Sequence, residues 1–227
     1  MSLDYLFKPK SIAIVGASGD IQKTAGLPAH YLIKSGFTGN IYLVNPRYTE
    51  LMGMRCYPSI SEIPQAPDMA IILLGAKSSV TAVKELAEKG CKAAIVLASG
   101  FAELGEAGLE LQQALLEARG TMRILGPNTI GLVNITDNIP LSASSALETG
   151  KIASGSVAII SQSGGIVGSL LSRSNAGGIG LSKLVATSNE ADLDVADMVN
   201  YLVEDASTKI IVLYIEGLRF PEKFQKA

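Results

Sequence analysis

The sequence is poor in the residues from which several common kinds of site are built. Its 227 residues include no tryptophan, one histidine and two cysteines, and aromatic residues make up 5%. Cys56 and Cys91 are isolated, so they form no metal-binding pattern and need not pair, which predicts a reducing, cytoplasmic environment. Because His30 is the only candidate base of its kind, a Ser-His-Asp set is excluded.

Charge is also scarce, and long hydrophobic runs are missing. Charged residues make up 18% and the net charge is −2, so no basic bias indicates a nucleic acid or an anionic membrane as partner. No apolar run approaches the roughly 20 residues that span a bilayer, and the N-terminus lacks the apolar core of a signal peptide. The hydrophobic fraction of 48% predicts instead a substantial core, in one large or two ordinary domains.

Short β-branched runs alternate with longer helical segments, which predicts an α/β fold with a parallel sheet and right-handed crossovers. The predicted strands are Ile12–Val15, Ile41–Val44, Met69–Leu74, Ala93–Leu97, Met122–Leu125, Val157–Ile160, Leu181–Ala186 and Ile210–Ile215. The predicted helices are Gly26–Ser35, Ser78–Lys89, Leu109–Arg119, Gly165–Asn175 and Asp194–Asp205.

Composition divides the chain into three parts. The alternation of residues 1–126 predicts one complete domain, and residues 151–227 predict the first part of another. Between them, residues 127–150 are rich in Asn, Ser, Gly and Pro without a strong period, which predicts a crossover linker. The last six residues resemble the opening of a further helix, so we expect the natural protein to be longer.

A strand, a hydroxyl-rich turn and a helix follow one another at Ser156–Gly168. The turn contains Ser161, Ser163 and Gly164. A helix N-terminus offers free N–H groups and the positive end of its dipole, and glycine lets the backbone approach a ligand. This segment therefore predicts a phosphate site, and a similar arrangement at Ser11–Gly19 predicts a second.

The turn near the N-terminus predicts a cofactor with a phosphate on its ribose. Gly16 to Lys23 match neither the full dinucleotide fingerprint nor a P-loop. After the next strand, where an NAD site has an acidic residue, the chain has Asn45, Pro46 and Arg47. This favours NADP or coenzyme A; a turn without ligand and a solvated Arg47 are the alternatives.

Small residues at the ends of the following strands would leave room for an extended ligand. Gly75 and Ala76 follow the third predicted strand, and Ser99 and Gly100 follow the fourth. In open α/β sheets, ligands lie at the carboxyl ends of the strands. Asn128, after the fifth strand, could bind ligand or backbone with its amide, or form a structural turn.

Two acidic clusters have simpler interpretations than metal binding. Glu190, Asp192, Asp194 and Asp197 lack the spacing of an EF-hand, so we predict no metal site and expect Asp192 or Asp194 to cap a helix. Glu103, Glu106 and Glu110 are interpreted as a solvated helix start.

An ordered set of motifs resembles the NDP-forming acyl-CoA synthetases, the superfamily of the succinyl-CoA synthetase alpha subunit and the ADP-forming acetyl-CoA synthetase. The motifs are VGASGD with Lys23, GFTGNIYLVNP, the run from Gly126 to Asn134, SQSGG and LYIEG. The resemblance runs from about Leu3 to the end. It implies a Rossmann-like CoA-binding domain followed by the first part of a flavodoxin-like domain, in a cytoplasmic ligase.

The resemblance also implies roles for particular residues. Coenzyme A contacts are expected at the predicted strand ends, on Gly16, Ser18, Gly19, Asp20, Lys23, Asn45, Pro46, Arg47, Gly75, Ala76, Ser99, Gly100 and Asn128. The family passes a phosphoryl group from an acyl phosphate to a histidine and then to NDP. Ser161, Ser163 and Gly164 match the turn that holds this phosphate, and Glu216 matches the glutamate that braces the histidine.

The chain departs from the family pattern in two places. Thr129 stands where the family often has cysteine. The phosphorylated histidine of the family lies downstream of the glutamate, and no such loop is present, while His30 is interpreted as structural or solvated. We therefore expect this chain to be inactive alone.

The missing parts imply partners. The resemblance implies an ATP-grasp domain or subunit for the nucleotide, an oligomer, and a carboxylic acid or acyl-CoA as substrate. The motifs leave open acetate, succinate or an aromatic acid, ADP or GDP, and fused or separate subunits. A CoA-sensing regulatory module and an NADP-binding oxidoreductase domain are the alternative functions.

Overall fold

The structure, a computed structural model, describes residues 3–148 and 152–227 and contains two sheets. The first sheet has the order β3-β4-β2-β1-β5-β6-β7. Its strands are β1 (Ser11–Val15), β2 (Asn40–Val44), β3 (Glu50–Leu51), β4 (Met54–Tyr57), β5 (Met69–Ile72), β6 (Ala93–Val96) and β7 (Arg123–Leu125). All pairs are parallel except β3 with β4, as expected for strands joined by helical crossovers.

The second sheet has the order β12-β10-β11-β8-β9. Its strands are β8 (Gly131–Asn134), β9 (Ile139–Ser142), β10 (Ser154–Ser161), β11 (Leu181–Ala186) and β12 (Ile210–Tyr214). The helices are α1 (Asp4–Phe7), α2 (Leu27–Lys34), α3 (Ala76–Lys89), α4 (Glu106–Ala118), α5 (Gly164–Ala176), α6 (Val195–Val203) and α7 (Pro221–Lys226). Short 3-10 turns lie at Thr24–Gly26, Ala102–Leu104 and Ser145–Glu148. No helix among the described residues is both long and apolar enough to cross a membrane.

Both faces of the first sheet are buried, and the strand period explains how. In β1, Ile12 and Ile14 belong to one hydrophobic cluster, whereas Ala13 and Val15 belong to another. Successive side chains of a strand point to opposite faces, so each strand supplies both cores. The near-continuous apolar runs of the sequence are the signature of such a doubly covered sheet.

The expected linker, residues 127–150, contains β8 and β9 within its described part, residues 127–148. These two strands pair antiparallel with each other, and β8 pairs antiparallel with β11. The apolar pattern of these strands is interrupted by Gly131, Asn134 and Pro140. Contacts with the rest of the fold stabilise the strands instead: Asn134 is fully buried, and its Nδ2 donates to the carbonyl of Phe7 at 2.9 Å. The short hairpin of β3 and β4 was likewise not predicted.

The two domains share one hydrophobic cluster. It includes Leu6 and Ile14 of the first domain and Ile160 and Met198 of the second. The segment after β11 also runs along β7, where the N–H of Leu193 donates to the carbonyl of Ile124 at 3.1 Å. Burial and backbone pairing therefore fix the second domain against the first.

Candidate functional site: two turns at the carboxyl ends of the strands

A cavity of about 670 Å³ opens at the carboxyl ends of β1, β2 and β5. Six of the predicted cofactor residues line it: Gly16, Ser18, Lys23, Asn45, Pro46 and Arg47. The remaining lining residues come from the same strand ends, the β4 loop and α3: Val15, Val44, Tyr48, Pro58, Ser59, Ile60, Leu74, Ser78, Thr81, Ala82 and Glu85. The structure thus brings together residues of the turn after β1, Gly16 to Lys23, called the first turn below, and those after β2.

Gly16 gives the first turn its shape. Its φ is +86°, a region that favours glycine, and its N–H donates to the carbonyl of Val44 at 2.9 Å. A Cβ there would lie 2.9 Å from Leu74 Cδ2 and 3.2 Å from the carbonyl oxygen of Leu73. The positive φ and the tight approach of the Leu73 carbonyl both favour glycine at this position, where the loops after β1 and β5 meet beside the cavity.

Asn45 joins the two loops that form the cavity wall. Its Nδ2 donates to the carbonyl of Ala17 at 2.8 Å, and its Oδ1 accepts from the N–H of Arg47 at 3.0 Å. The amide predicted to contact ligand therefore holds the first turn against the turn that carries Arg47.

The cavity carries cationic groups that suit a polyanion. The Nζ of Lys23 lies 3.4 Å from Asp20 Oδ2, and 72% of the Lys23 side chain and 45% of the Asp20 side chain are exposed. The side chain of Arg47 is also exposed. The N-terminus of α3 adds the positive end of a helix dipole, and its N-cap residue, Gly75, has no side chain that could occupy the first N–H groups.

Three predicted residues lie further along the sheet. Ser99 and Gly100 follow β6, and Asn128 follows β7, outside the lining of the cavity. Gly19, Asp20, Gly75 and Ala76 are also outside the lining, although each is a close chain neighbour of a residue in it.

The second turn, Ser161 to Gly164, leads directly from β10 into α5. Ser161 is fully buried, and its Oγ donates to the carbonyl of Ser163 at 2.9 Å and accepts from the N–H of Ser163 at 3.0 Å. The Ser161 hydroxyl is thus occupied within the turn, and its task is to shape it. Ser163 is the N-cap of α5 but makes no side-chain capping bond, which leaves the first N–H groups of the helix open to an anion. A Cβ on Gly165 would meet no atom within 4 Å, so a ligand has room to approach.

Gln162 connects the second turn to Glu216, a role that the sequence did not reveal. Its Oε1 accepts from the N–H groups of Glu216 and Gly217 at 2.7 and 3.0 Å, and its Nε2 donates to the carbonyl of Gly217 at 2.7 Å. One side-chain amide therefore fixes the backbone of the predicted brace beside the N-terminus of α5.

Glu190 belongs to the same neighbourhood and is 4% exposed. Its Oε1 accepts from Thr187 Oγ1 at 2.7 Å and from the N–H of Val195 at 3.1 Å. Burial raises the pKa of Glu190, and hydrogen bonds from Thr187 and Gln162 offset only part of this effect. The buried carboxylate thus holds the two ends of the β11–α6 loop together through Thr187 and Val195. This loop contacts the second turn, where the N–H of Thr187 donates to the carbonyl of Ser161 at 2.9 Å.

The acidic residues after β11 have separate tasks. Asp194 caps α6 in a capping box with Asp197, as predicted for this position. Asp192 instead accepts from Arg123 Nε at 2.9 Å and from the N–H of Ile124 at 2.8 Å, which joins the two domains. Glu103 is also not simply solvated, because it caps the N–H groups of Gly100 and Phe101. Within residues 3–148 and 152–227, no group of three His, Cys, Asp or Glu side chains could hold a metal ion.

His30 lies on α2, away from the second turn in the chain and outside the lining of the cavity. Its Nε2 is 3.8 Å from Glu148 Oε1, and its ring packs against Tyr31 with centroids 5.7 Å apart. These contacts support a structural role.

Two protein families match the chain, one in each of its two domains. Residues 10–135 match the family described as CoA binding domain, and residues 154–227 match the succinyl-CoA ligase like flavodoxin domain. The chain thus pairs a Rossmann-like CoA-binding domain with a flavodoxin-like one. It belongs to the CoA binding domain family and, with this pair of domains, to the superfamily of NDP-forming acyl-CoA synthetases, as the motifs predicted.

Relatives and solved structures cover nearly the whole chain. The chain is 38% identical to acetate–CoA ligase [ADP-forming] I of Archaeoglobus fulgidus, covering 99% of the chain and 32% of the relative. It is 37% identical to the alpha subunit of acetate–CoA ligase [ADP-forming] II of Pyrococcus furiosus, covering 98% and 48%. The dinucleotide forming acetyl-coenzyme A synthetase 1 of Ca. Korarchaeum cryptofilum, solved with phosphate and ADP, superposes with a TM-score of 0.92 at 34% identity, covering 99% and 48%. The chain therefore spans between about a third and a half of these proteins.

Proposed function

We propose that the chain is the CoA-binding part of an NDP-forming acid–CoA ligase, in which acyl-CoA, NDP and phosphate are converted reversibly to the acid, NTP and CoA. The observation that carries this proposal is the cavity with Lys23 and Arg47 at the strand ends of a domain that belongs to the CoA-binding family. Acetate is the acid that we propose, since the relatives above are acetate–CoA ligases.

The second turn supports a phosphate-binding role within the same reaction. We propose that the N-terminus of α5, at Ser163 and Gly164, holds the phosphate of a phosphohistidine, with Glu216 bracing the imidazole. A carboxylate that accepts from one ring nitrogen fixes which nitrogen attacks phosphorus. His30 does not serve here, because it lies on α2 with its Nε2 3.8 Å from Glu148 Oε1; another segment or subunit would supply the histidine.

The proposal extends to partners. An ATP-grasp domain or subunit would provide the nucleotide site, in an oligomer. The edge strand β12 supports a further contact of this kind, since Ile210, Val212 and Tyr214 are 56%, 40% and 38% exposed. The two free, buried cysteines suit a cytoplasmic location.

Calorimetry with CoA and with NADP tests the cofactor. We expect CoA to bind with one site per chain, and Arg47→Gln to weaken binding by about tenfold, as the loss of one charged hydrogen-bond donor does. Arg173→Gln is the matched control, because it removes the same charge from the exposed last turn of α5. Binding of NADP without binding of CoA would overturn the proposal.

A further inference from the structure

A loop of the second domain reaches the carboxyl edge of the first sheet. It runs from Thr187 to Glu190, between β11 and α6. The N–H of Asn189, at its tip, donates to the carbonyl of Pro127 at 3.3 Å, just after β7. Asn189 thus lies against strand ends where the sequence predicts cofactor contacts.

The side-chain amide of Asn189 is fully used by three residues outside its own domain. Its Nδ2 donates to Glu103 Oε2 and to Gln112 Oε1, the latter at 3.3 Å, while its Oδ1 accepts from Asn128 Nδ2 at 3.3 Å. A primary amide has two donor hydrogens and one carbonyl oxygen, and each of these has a partner here. The ionised carboxylate of Glu103 can only accept, so the amide nitrogen of Asn189 must face it.

Glu103 transmits this contact to the loop after β6. Its other oxygen, Oε1, accepts from the N–H groups of Gly100 and Phe101. Burial raises the pKa of Glu103, but the hydrogen bonds from Asn189, Gly100 and Phe101 outweigh it and lower the pKa overall. The carboxylate therefore stays charged between the two domains and holds the backbone of Gly100, whose φ is +105°.

The backbone on both sides of Asn189 is constrained. Ser188 and Glu190 have φ values of +56° and +53°, a region that costs a non-glycine residue energy and persists only where surrounding contacts impose it. Glu190 is held by Thr187 and by Val195, and its carbonyl accepts from Arg219 at 2.6 Å. The strained loop is thus anchored in the second domain while its tip is inserted into the first.

The position of this contact determines which part of CoA it would affect. In the sheet order, β6 is three strands from β2, which corresponds to about 14 Å at roughly 4.8 Å per strand. The cationic cavity near Arg47 suits the phosphorylated adenosine, so an extended CoA lying across the strand ends would bring its pantetheine arm to the loops after β6 and β7.

From these contacts, and on the basis of the proposed function, we infer that Asn189 is a positioning residue for the pantetheine arm of CoA. It is contributed by the second domain and acts through Glu103 and Asn128, which it holds in place. The adenosine end of CoA, bound in the cavity, does not depend on it.

Calorimetry with CoA and with adenosine 3′,5′-bisphosphate, which lacks the pantetheine arm, tests this inference. Asn189→Asp places a carboxylate oxygen against Glu103 and Gln112. We expect about tenfold weaker binding of CoA, as for a lost charged hydrogen bond, with binding of the bisphosphate unchanged within twofold. Asn138→Asp is the matched control: Asn138 also has a positive φ, of +56°, but it is exposed and donates to the carbonyl of Ser35.

The double variant Glu103→Gln/Asn189→Asp exchanges donor and acceptor across the same contact. The new amide can still accept from Gly100 and Phe101 and can donate to the new carboxylate, so we expect CoA affinity to recover to within threefold of the wild type. Asn189→Ala, which adds no charge, replaces Asn189→Asp if the latter fails to fold.

Unchanged CoA affinity in the single variants, an equal loss for both ligands, or no recovery in the double variant would overturn the inference. Failure of the wild-type chain to bind either ligand would instead overturn the proposed function.

Discussion

The two turns follow parallel strands in similar sequence contexts, yet they are held in shape by different means. The first turn relies on the backbone: Gly16 adopts a positive φ and bonds to Val44, and a loop and a 3-10 turn separate β1 from α2. The second relies on side chains, because Ser161 and Gln162 form its hydrogen bonds and α5 begins at once at Gly164.

This difference matches the ligands that we propose. A large polyanion such as CoA needs a wide cavity and cationic side chains, which the first turn offers through Lys23 and Arg47. A phosphate that is bound only transiently needs free N–H groups, which the N-terminus of α5 offers. It also needs Glu216 at a fixed position, and Gln162 holds the backbone of Glu216. The first turn should therefore be most sensitive to a change in its backbone, and the second to the loss of a side chain.

The largest effect is expected for Gly16→Ala. The positive φ and the close approach of Leu74 and of the Leu73 carbonyl should together lower the free energy of unfolding by about 3 kcal/mol, measured by urea denaturation. Gly53→Ala is the control, because Gly53 has a φ of +74° but a Cβ there would meet nothing within 4 Å. It should cost only about 1 kcal/mol. Equal costs would show that backbone conformation alone, without the contact, shapes the first turn.

Gln162→Leu should disturb the second turn to a smaller extent. Loss of three hydrogen bonds to the backbone of Glu216 and Gly217 should lower the free energy of unfolding by about 1 kcal/mol and speed the hydrogen exchange of these two amides. Gln113→Leu, which removes one exposed bond to Glu117 within α4, should leave both amides unaffected. Unaltered exchange in Gln162→Leu would contradict the role assigned to Gln162.

Acid should weaken the fold in part through Asp205, in the second domain. Burial alone raises the pKa of Asp205, but hydrogen bonds from Ser207, Lys183 and Thr208 outweigh it and hold the pKa well below its usual range. A carboxyl with a lowered pKa in the folded state adds stability above its unfolded pKa, and this stability is lost as the pH falls below about 4. Thermal unfolding across this range should show a steep decline that Asp205→Asn flattens; an identical slope in both proteins would refute it.

The smallest effect on stability is expected for Gly165→Ala. The position is helical and open, so the free energy of unfolding should change by less than about 1 kcal/mol, in the stabilising direction. Binding of inorganic phosphate, measured by titration, should nevertheless weaken, since the new methyl group occupies the approach to α5. Phosphate binding as strong as in the wild type would place the anion elsewhere.

The strand ends could be predicted from the sequence, because apolar runs and the residues that break them are local signals. Gly16 and Arg47 were found in this way. Asn189, Gln162 and Glu103 could not be recognised, since their function depends on partners 86 residues away in the case of Asn189 and Glu103, and 54 in the case of Gln162 and Glu216. Strands β8 and β9 were missed because buried polar and glycine residues replace the usual alternation there.

The central claim is that the first turn binds CoA and the second binds phosphate. Amide chemical-shift mapping by NMR tests it most directly, with CoA and inorganic phosphate added in turn to the same sample. We expect CoA to shift the amides of Gly16 to Lys23, Arg47 and the first turn of α3, and phosphate alone to shift Ser163 to Ile166. If both anions shift the same turn, or if CoA shifts only the start of α5, the assignment of one turn to the cofactor and the other to phosphate is wrong.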